Sequence, residues 1–152
     1  MSPEQPRSIG DFPSKVGQTY TGEWMGLDPQ RIAGFWVGTY LDETYGQSLG
    51  PEYPPGLVEG FYQLALLDYL SAQIIGRWHG FNYGLDKVRF IRPLNESQQV
   101  RLALTVAETA SRDSGLLVTY DAVLEASGQE KPAMAARWLV LLQDLQPHNY
   151  TQ

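Results

Sequence analysis

The segment 56–75, GLVEGFYQLALLDYLSAQII, most constrains how this chain can fold. Its apolar residues do not keep to one stripe: Leu57, Phe61, Leu64 and Leu67 mark one helical face, while Val58, Ala65 and Leu66 occupy others. A helix that is apolar nearly all round has to be enclosed by other elements of the protein. Glu59, Gln63, Asp68 and Gln73 interrupt the run too often for a membrane span, which needs ~20 predominantly apolar residues. Gly76 ends the segment as a C-terminal stop.

Beyond that helix the chain reads as strand after strand. Residues 80–93 read as a strand ended by Pro93, and residues 98–112 set Val100, Leu102, Leu104 and Val106 against Arg101, Ala103 and Thr105. Residues 115–127 place Leu116, Val118, Tyr120, Ala122 and Leu124 on one face. Residues 133–143 do the same with Met134, Ala136, Trp138, Val140 and Leu142. Alternation of this kind marks half-buried strands, and Gly115 and Gly128–Gln129 fit the turns between them. Upstream, 17–27 reads as a first strand. Asp28 stands as an N-cap before Pro29, and Ile32, Phe35, Trp36 and Tyr40 recur at helical spacing. Five glycines and prolines between 42 and 55 mark a loop. The order is strand, helix, loop, buried helix, then four strands, an α+β arrangement in one domain. Residues 1–11 read as a polar tail, 12–143 as the domain and 144–152 as a second tail. Long strands with a wet edge also point to pairing with a second copy.

Composition closes off several classes. With a net charge of −6 and no long basic run, the chain lacks the positive field that nucleic acid requires. It has no cysteine, so disulfides and thiolate chemistry are excluded. The first residues lack the charged-then-apolar pattern of a signal peptide, and a cytoplasmic location is the default expectation.

The stretch NYGLDKVRFIRPL (82–94) resembles the MaoC-like hydratases, specifically the NodN-like branch, whose pattern is N-Y-G-hydrophobic-[ND]-[KR]-V-R-F before a proline. KPAMAARWLVLL (131–142) resembles the same branch's K-P-A-x-x-A-x-W-L ending. GLVEGFYQLALL (56–67) and DPQRIAGFWVGT (28–39) sit where that family has its two helices, so the likeness runs from about residue 12 to 142. The resemblance implies a hotdog fold, a curved antiparallel sheet wrapped around a long helix, and a homodimer. It also implies an acyl thioester of coenzyme A or a carrier protein as substrate and hydration or dehydration as the reaction. No metal or cofactor is expected. Family hydratases draw an Asp and a His from D-x-N-P-x-H in the loop after the first helix. A backbone N–H at the start of the buried helix receives the enolate oxygen.

In this chain that loop reads TYLDETYGQSLGPEYPPG (39–56), with no N-P-x-H and no histidine before His79. His79 comes after the helix, about 30 Å from its start if all twenty residues of 56–75 are helical. His148 lies in the polar tail. Acid–base work at neutral pH therefore falls to carboxylates and tyrosines. Glu59, just before Gly60, is the first candidate catalytic residue, because a helix start favours a carboxylate and an apolar pocket perturbs one. Asp42 and Tyr40 are the others. The Gly60 N–H, Tyr45, Phe61, Trp36 and Arg89 are candidate substrate contacts. Each also has a plainer reading: loop acids, structural tyrosines, core aromatics, and, for Lys87, Arg89 and Arg92, a solvated strand face. The basic trio is equally placed to meet a phosphate of coenzyme A or a carrier protein. Two functions stay open. One is a thioester or polyketide-like enzyme working by hydration, dehydration, isomerisation or cyclisation. The other is a non-catalytic hotdog subunit that binds a ligand or pairs with a complete partner.

Overall fold

A computed structural model describes residues 3–144. The elements run β1 (Thr19–Thr21), β2 (Met25–Gly26), α1 (Pro29–Gly38), α2 (Leu41–Tyr45), α3 (Gly60–Ile75), β3 (Gly80–Phe90), β4 (Gln99–Arg112), β5 (Gly115–Ala126) and β6 (Met134–Leu142). Every strand pair is antiparallel, and the sheet order is β1-β4-β5-β6-β3, with β2 also paired to β4. This is the expected α+β hotdog domain, a six-stranded curved sheet with one long helix.

The register explains why the alternating sequence settles this way. Leu102 faces Leu124, which faces Met134; Leu104, Ala122 and Ala136 form the next row, and Val106, Tyr120 and Trp138 the next. All nine of these side chains are buried. A slip of one residue in any strand would turn its whole row to solvent, so burial of one face fixes the pairing. Leu67, Leu70 and Ile74 of α3 complete the same core.

The first strand differs from its expected span. It is split into β1 and β2, with Gly22 between them donating its N–H to Leu102 O at 3.0 Å. A Cβ at Gly22 would lie 3.1 Å from Ile74 Cγ1, so helix and sheet approach too closely here for a larger residue without adjustment. Residues expected as loop hold the short helix α2, and α3 begins at Gly60 rather than at residue 56. The outer face of α3 is open in the single chain: Phe61 is 76% exposed, and Tyr69 also faces outward.

The end of α3 is capped by side chains. The Gln5 amide donates to Ile74 O, and the Trp78 indole N–H donates to Ile75 O at 2.8 Å. Phe12, buried on a 3-10 helix over Ile9–Lys15, meets Trp78 edge-on with centroids 5.2 Å apart. Orphan carbonyls at a helix end need such partners. Pro6 is buried and Tyr20 Oη donates to Glu4 O at 3.1 Å, so residues 4–6 lie against the body of the domain. No helix among the described residues is long and apolar enough to cross a membrane.

Candidate functional site

Two neighbouring regions hold the candidate residues. The first is a cavity of about 850 Å³ under α1, α2 and the segment leading to α3. Asp28 Oδ1 accepts the N–H of Gln30 at 2.9 Å, with Pro29 at the first helical position, so α1 starts where its sequence signature put it. The helix then turns Ile32, Trp36 and Val37 to the cavity, with Leu49 and Leu57 among the facing residues. Asp42 and Glu96 are its carboxylates, and no Lys or Arg lines it. Tyr45 packs edge-on against Trp36, ring centroids 6.4 Å apart.

Tyr40 joins α1 to α2 with φ 63°, a left-handed conformation that non-glycine residues adopt only when their surroundings enforce it. Its carbonyl accepts from Thr44 N and Thr44 Oγ1, which holds the turn. The Tyr40 side chain itself is 68% exposed. Asp42 is half-buried, and its carbonyl accepts the Gly46 N–H at 2.8 Å.

The second region is the start of α3, two residues beyond Leu57. Val58 is buried and donates its N–H to Leu94 O at 2.8 Å, which anchors the chain just before the helix. Glu59 is the N-cap residue, but its carboxylate makes no capping bond. Both Glu59 Oε atoms are buried without a hydrogen-bond partner among the described residues. Gly60 lies under the ring of Phe90: a Cβ there would be 2.5 Å from Phe90 Cζ. Its N–H belongs to the first turn, whose donors have no partner within the helix. Phe61, expected at the pocket, points to solvent.

The sequence-derived set thus divides. Asp42 and Trp36 line the cavity with Tyr45 packed against Trp36, Glu59 and Gly60 lie at the helix start, and no hydrogen bond joins Asp42 to Glu59 among the described residues. Arg89 is exposed on β3 next to Phe90. Lys87 adopts φ 52° in a bulge of that strand, where the register skips between Asp86 and Arg89. Lys87, Arg89 and Arg92 form no ion pair among the described residues. His79 lies beyond the far end of α3, with centroids 6.4 Å from Phe81, and His148 falls outside the described residues. No group of metal-binding side chains occurs among the described residues.

Sequence reasoning missed Gln63. It is only 3% exposed, and its Oε1 is the third buried atom here without a partner. The available signal was a polar residue four positions after Glu59, hence on the same helical face, in an otherwise apolar run. Burial also raises the phenols of Tyr62 and Tyr120 above the usual tyrosine range, so both stay neutral and behave as packing groups. A second groove, between the latter half of α3 and β3, contains none of the expected site residues. There Trp138 Nε1 donates to Asn82 Oδ1 at 2.8 Å and Asn82 Nδ2 to Asp68 Oδ2 at 3.1 Å, a structural chain tying helix to edge strand.

Among known proteins, no family model matches the chain. It is 31% identical over 147 residues to nodulation protein N of Rhizobium leguminosarum bv. viciae, covering 90% of this chain and 91% of that protein. It is 30% identical over 122 residues to 3-hydroxyacyl-thioester dehydratase Z of Mycobacterium tuberculosis (strain ATCC 25618 / H37Rv), covering 78% of this chain and 70% of that protein. Its fold matches the MaoC-like dehydratase of Rhodospirillum rubrum with a TM-score of 0.62 at 14% identity, over 86% of this chain and 94% of that one.

Proposed function

The chain belongs to the nodulation protein N branch of the MaoC-like hotdog family, and from that premise we propose that it adds water to, or removes it from, an acyl thioester. The observation that carries this reading is Glu59, a buried carboxylate with both oxygens unpaired at the start of α3. Buried polar atoms are almost always paired, and those left open mark a place where a water, an ion or a substrate group is bound. A relative of this chain bears the name 3-hydroxyacyl-thioester dehydratase, which supports the substrate class.

In dehydration, the Glu59 carboxylate removes the proton from the carbon next to the thioester carbonyl. Negative charge moves to the carbonyl oxygen, where the Gly60 N–H at the helix start receives it. The 3-hydroxyl then leaves as water, taking the proton back from Glu59. One carboxylate thus serves both halves, and hydration is the same path reversed. The cavity beside α1, mostly apolar and without a cationic side chain in its lining, takes an uncharged acyl group. Arg89, with Lys87 and Arg92, supplies an open cationic edge for the phosphates of coenzyme A or a carrier arm. Asp42 borders the acyl site as a substrate contact rather than a proton carrier, while Tyr40 is exposed and outside the cavity lining. The acting unit is a homodimer joined through the Phe81–Leu85 part of the β3 edge, which leaves Lys87 and Arg89 beyond the pairing, and the protein works in the cytoplasm without a cofactor.

Purified protein should hydrate a crotonyl-type thioester, and Glu59→Gln should lower kcat by about 10²-fold or more, the usual contribution of a general acid or base. An unchanged rate removes Glu59 from the site. Double-bond isomerisation or cyclisation of a polyketide-like thioester would employ the same proton transfer. Deuterium incorporation next to the carbonyl without net hydration identifies those reactions. A protein that does neither is a ligand-binding or partner subunit, the reading favoured by the lack of a histidine in the loop 39–56.

A further inference from the structure

Three buried acceptor atoms stand open at the start of α3: both Glu59 carboxylate oxygens and Gln63 Oε1. The Gln63 amide is held at that end of the helix, because its Nε2 lies 3.4 Å from Val58 O, the carbonyl immediately before Glu59. The Gln63 backbone N–H also donates to Glu59 O at 3.2 Å, which sets the two residues one turn apart on one face. With its Nε2 turned to the backbone, the amide leaves its oxygen as the open end. A small molecule that suits open acceptors must bring hydrogens, and bring two of them to two separated groups. Water has that composition.

We propose that Gln63 is a binding residue for the reacting water, which gives one hydrogen to Gln63 Oε1 and the other to Glu59. The inference rests on the reading of Glu59 as the proton carrier. In hydration, Glu59 takes the hydrogen it holds while the water oxygen forms its bond to carbon 3 of the enoyl thioester. The hydrogen on Gln63 remains with the oxygen and becomes the product hydroxyl. Glu59 then delivers its proton to carbon 2, so the sum is one water added and no group left charged. Gln63 provides by hydrogen bonding the orientation that a histidine and its neighbours would otherwise supply.

The test uses the full-length protein with Gln63→Met, which keeps length without an acceptor, and Gln63→Leu. Both should melt no lower than wild type, because Gln63 serves the bound water rather than the packing of the core. Both should lose at least about tenfold in kcat for hydration, with KM for the thioester within about twofold. Deuterium exchange at carbon 2 of a saturated acyl thioester, which needs Glu59 but no bound water, should persist. Three results overturn the proposal: a lower melting temperature, showing that the amide is structural; hydration left unchanged; or exchange lost together with hydration, showing that Glu59 has been displaced. A wild-type protein that neither hydrates nor exchanges overturns the underlying reading as well. An active wild type with indifferent Gln63 variants sinks this inference alone.

Discussion

A Cβ on Gly60 would meet Phe90 Cζ at 2.5 Å and its two Cε atoms at 2.6 and 2.7 Å, so the ring rests directly on the helix start. Phe90 is half exposed and able to swing outward. The two residues are therefore coupled through packing, and the coupling is measurable. Gly60→Ala should cost about 1–3 kcal/mol in urea unfolding, the usual penalty of overpacking. In a Phe90→Ala background the same change should cost little, since the obstructing ring is gone. Additive effects in that double-mutant cycle would show that Phe90 does not constrain Gly60. The ring thus restricts position 60 to a residue without a side chain at the start of α3. Glu59 and Gln63 show the other side of residue-scale reasoning. The sequence marks a carboxylate at a helix start, but only packing leaves its oxygens without donors.

At the scale of elements, α1 is the roof of the cavity, and its start depends on one side chain. Asp28 caps Gln30 at 2.9 Å, whereas its ion pair with Arg31 is exposed and spans 3.7 Å. Exposed pairs contribute little, so the cap should dominate. Asp28→Ala should destabilise the domain by about 1 kcal/mol with little dependence on salt, while Arg31→Ala should be near neutral. A strongly salt-dependent loss would reassign the effect to the ion pair. The signals for α1, α3 and β4 to β6 were legible because each element's periodicity serves one core. The short helix α2 was not legible. Its five residues, LDETY, carry no periodic signal, and the turn that launches them relies on Tyr40 at φ 63°. Local propensity disfavours that conformation, so the surrounding chain must enforce it. The split between β1 and β2 was hidden for a similar reason, since it arises where Gly22 meets Ile74 across the core.

For the whole molecule, the open question of chemistry becomes one of assembly. Strand β3 is a free edge with Phe81, Tyr83, Leu85 and Phe90 exposed, and Phe61 and Tyr69 of α3 are exposed as well. An apolar edge strand invites pairing with another strand. Sedimentation should show a dimer, and Tyr83→Arg combined with Leu85→Arg should yield a monomer that keeps its secondary structure. A wild-type monomer at micromolar concentration would remove the β3 pairing. Pairing of two copies would also account for an apparent mismatch. The helix reads as apolar on every side, yet a single chain covers only the faces of α3 turned toward the sheet and the residues before it.

The amino-acid order alone determined the domain class, the faces of the long strands and the family likeness, because these arise from periodicity and short motifs. It also determined what was missing, a histidine in the loop after the first helix. The tertiary structure decided which polar groups are left unpaired. It put Asp42 with Trp36 at the cavity, Phe61 in solvent, and Gln63 beside the helix start with Glu59. Hydrogen-bond satisfaction depends on what every neighbouring segment brings to a point in space, and no local pattern in the chain encodes that sum.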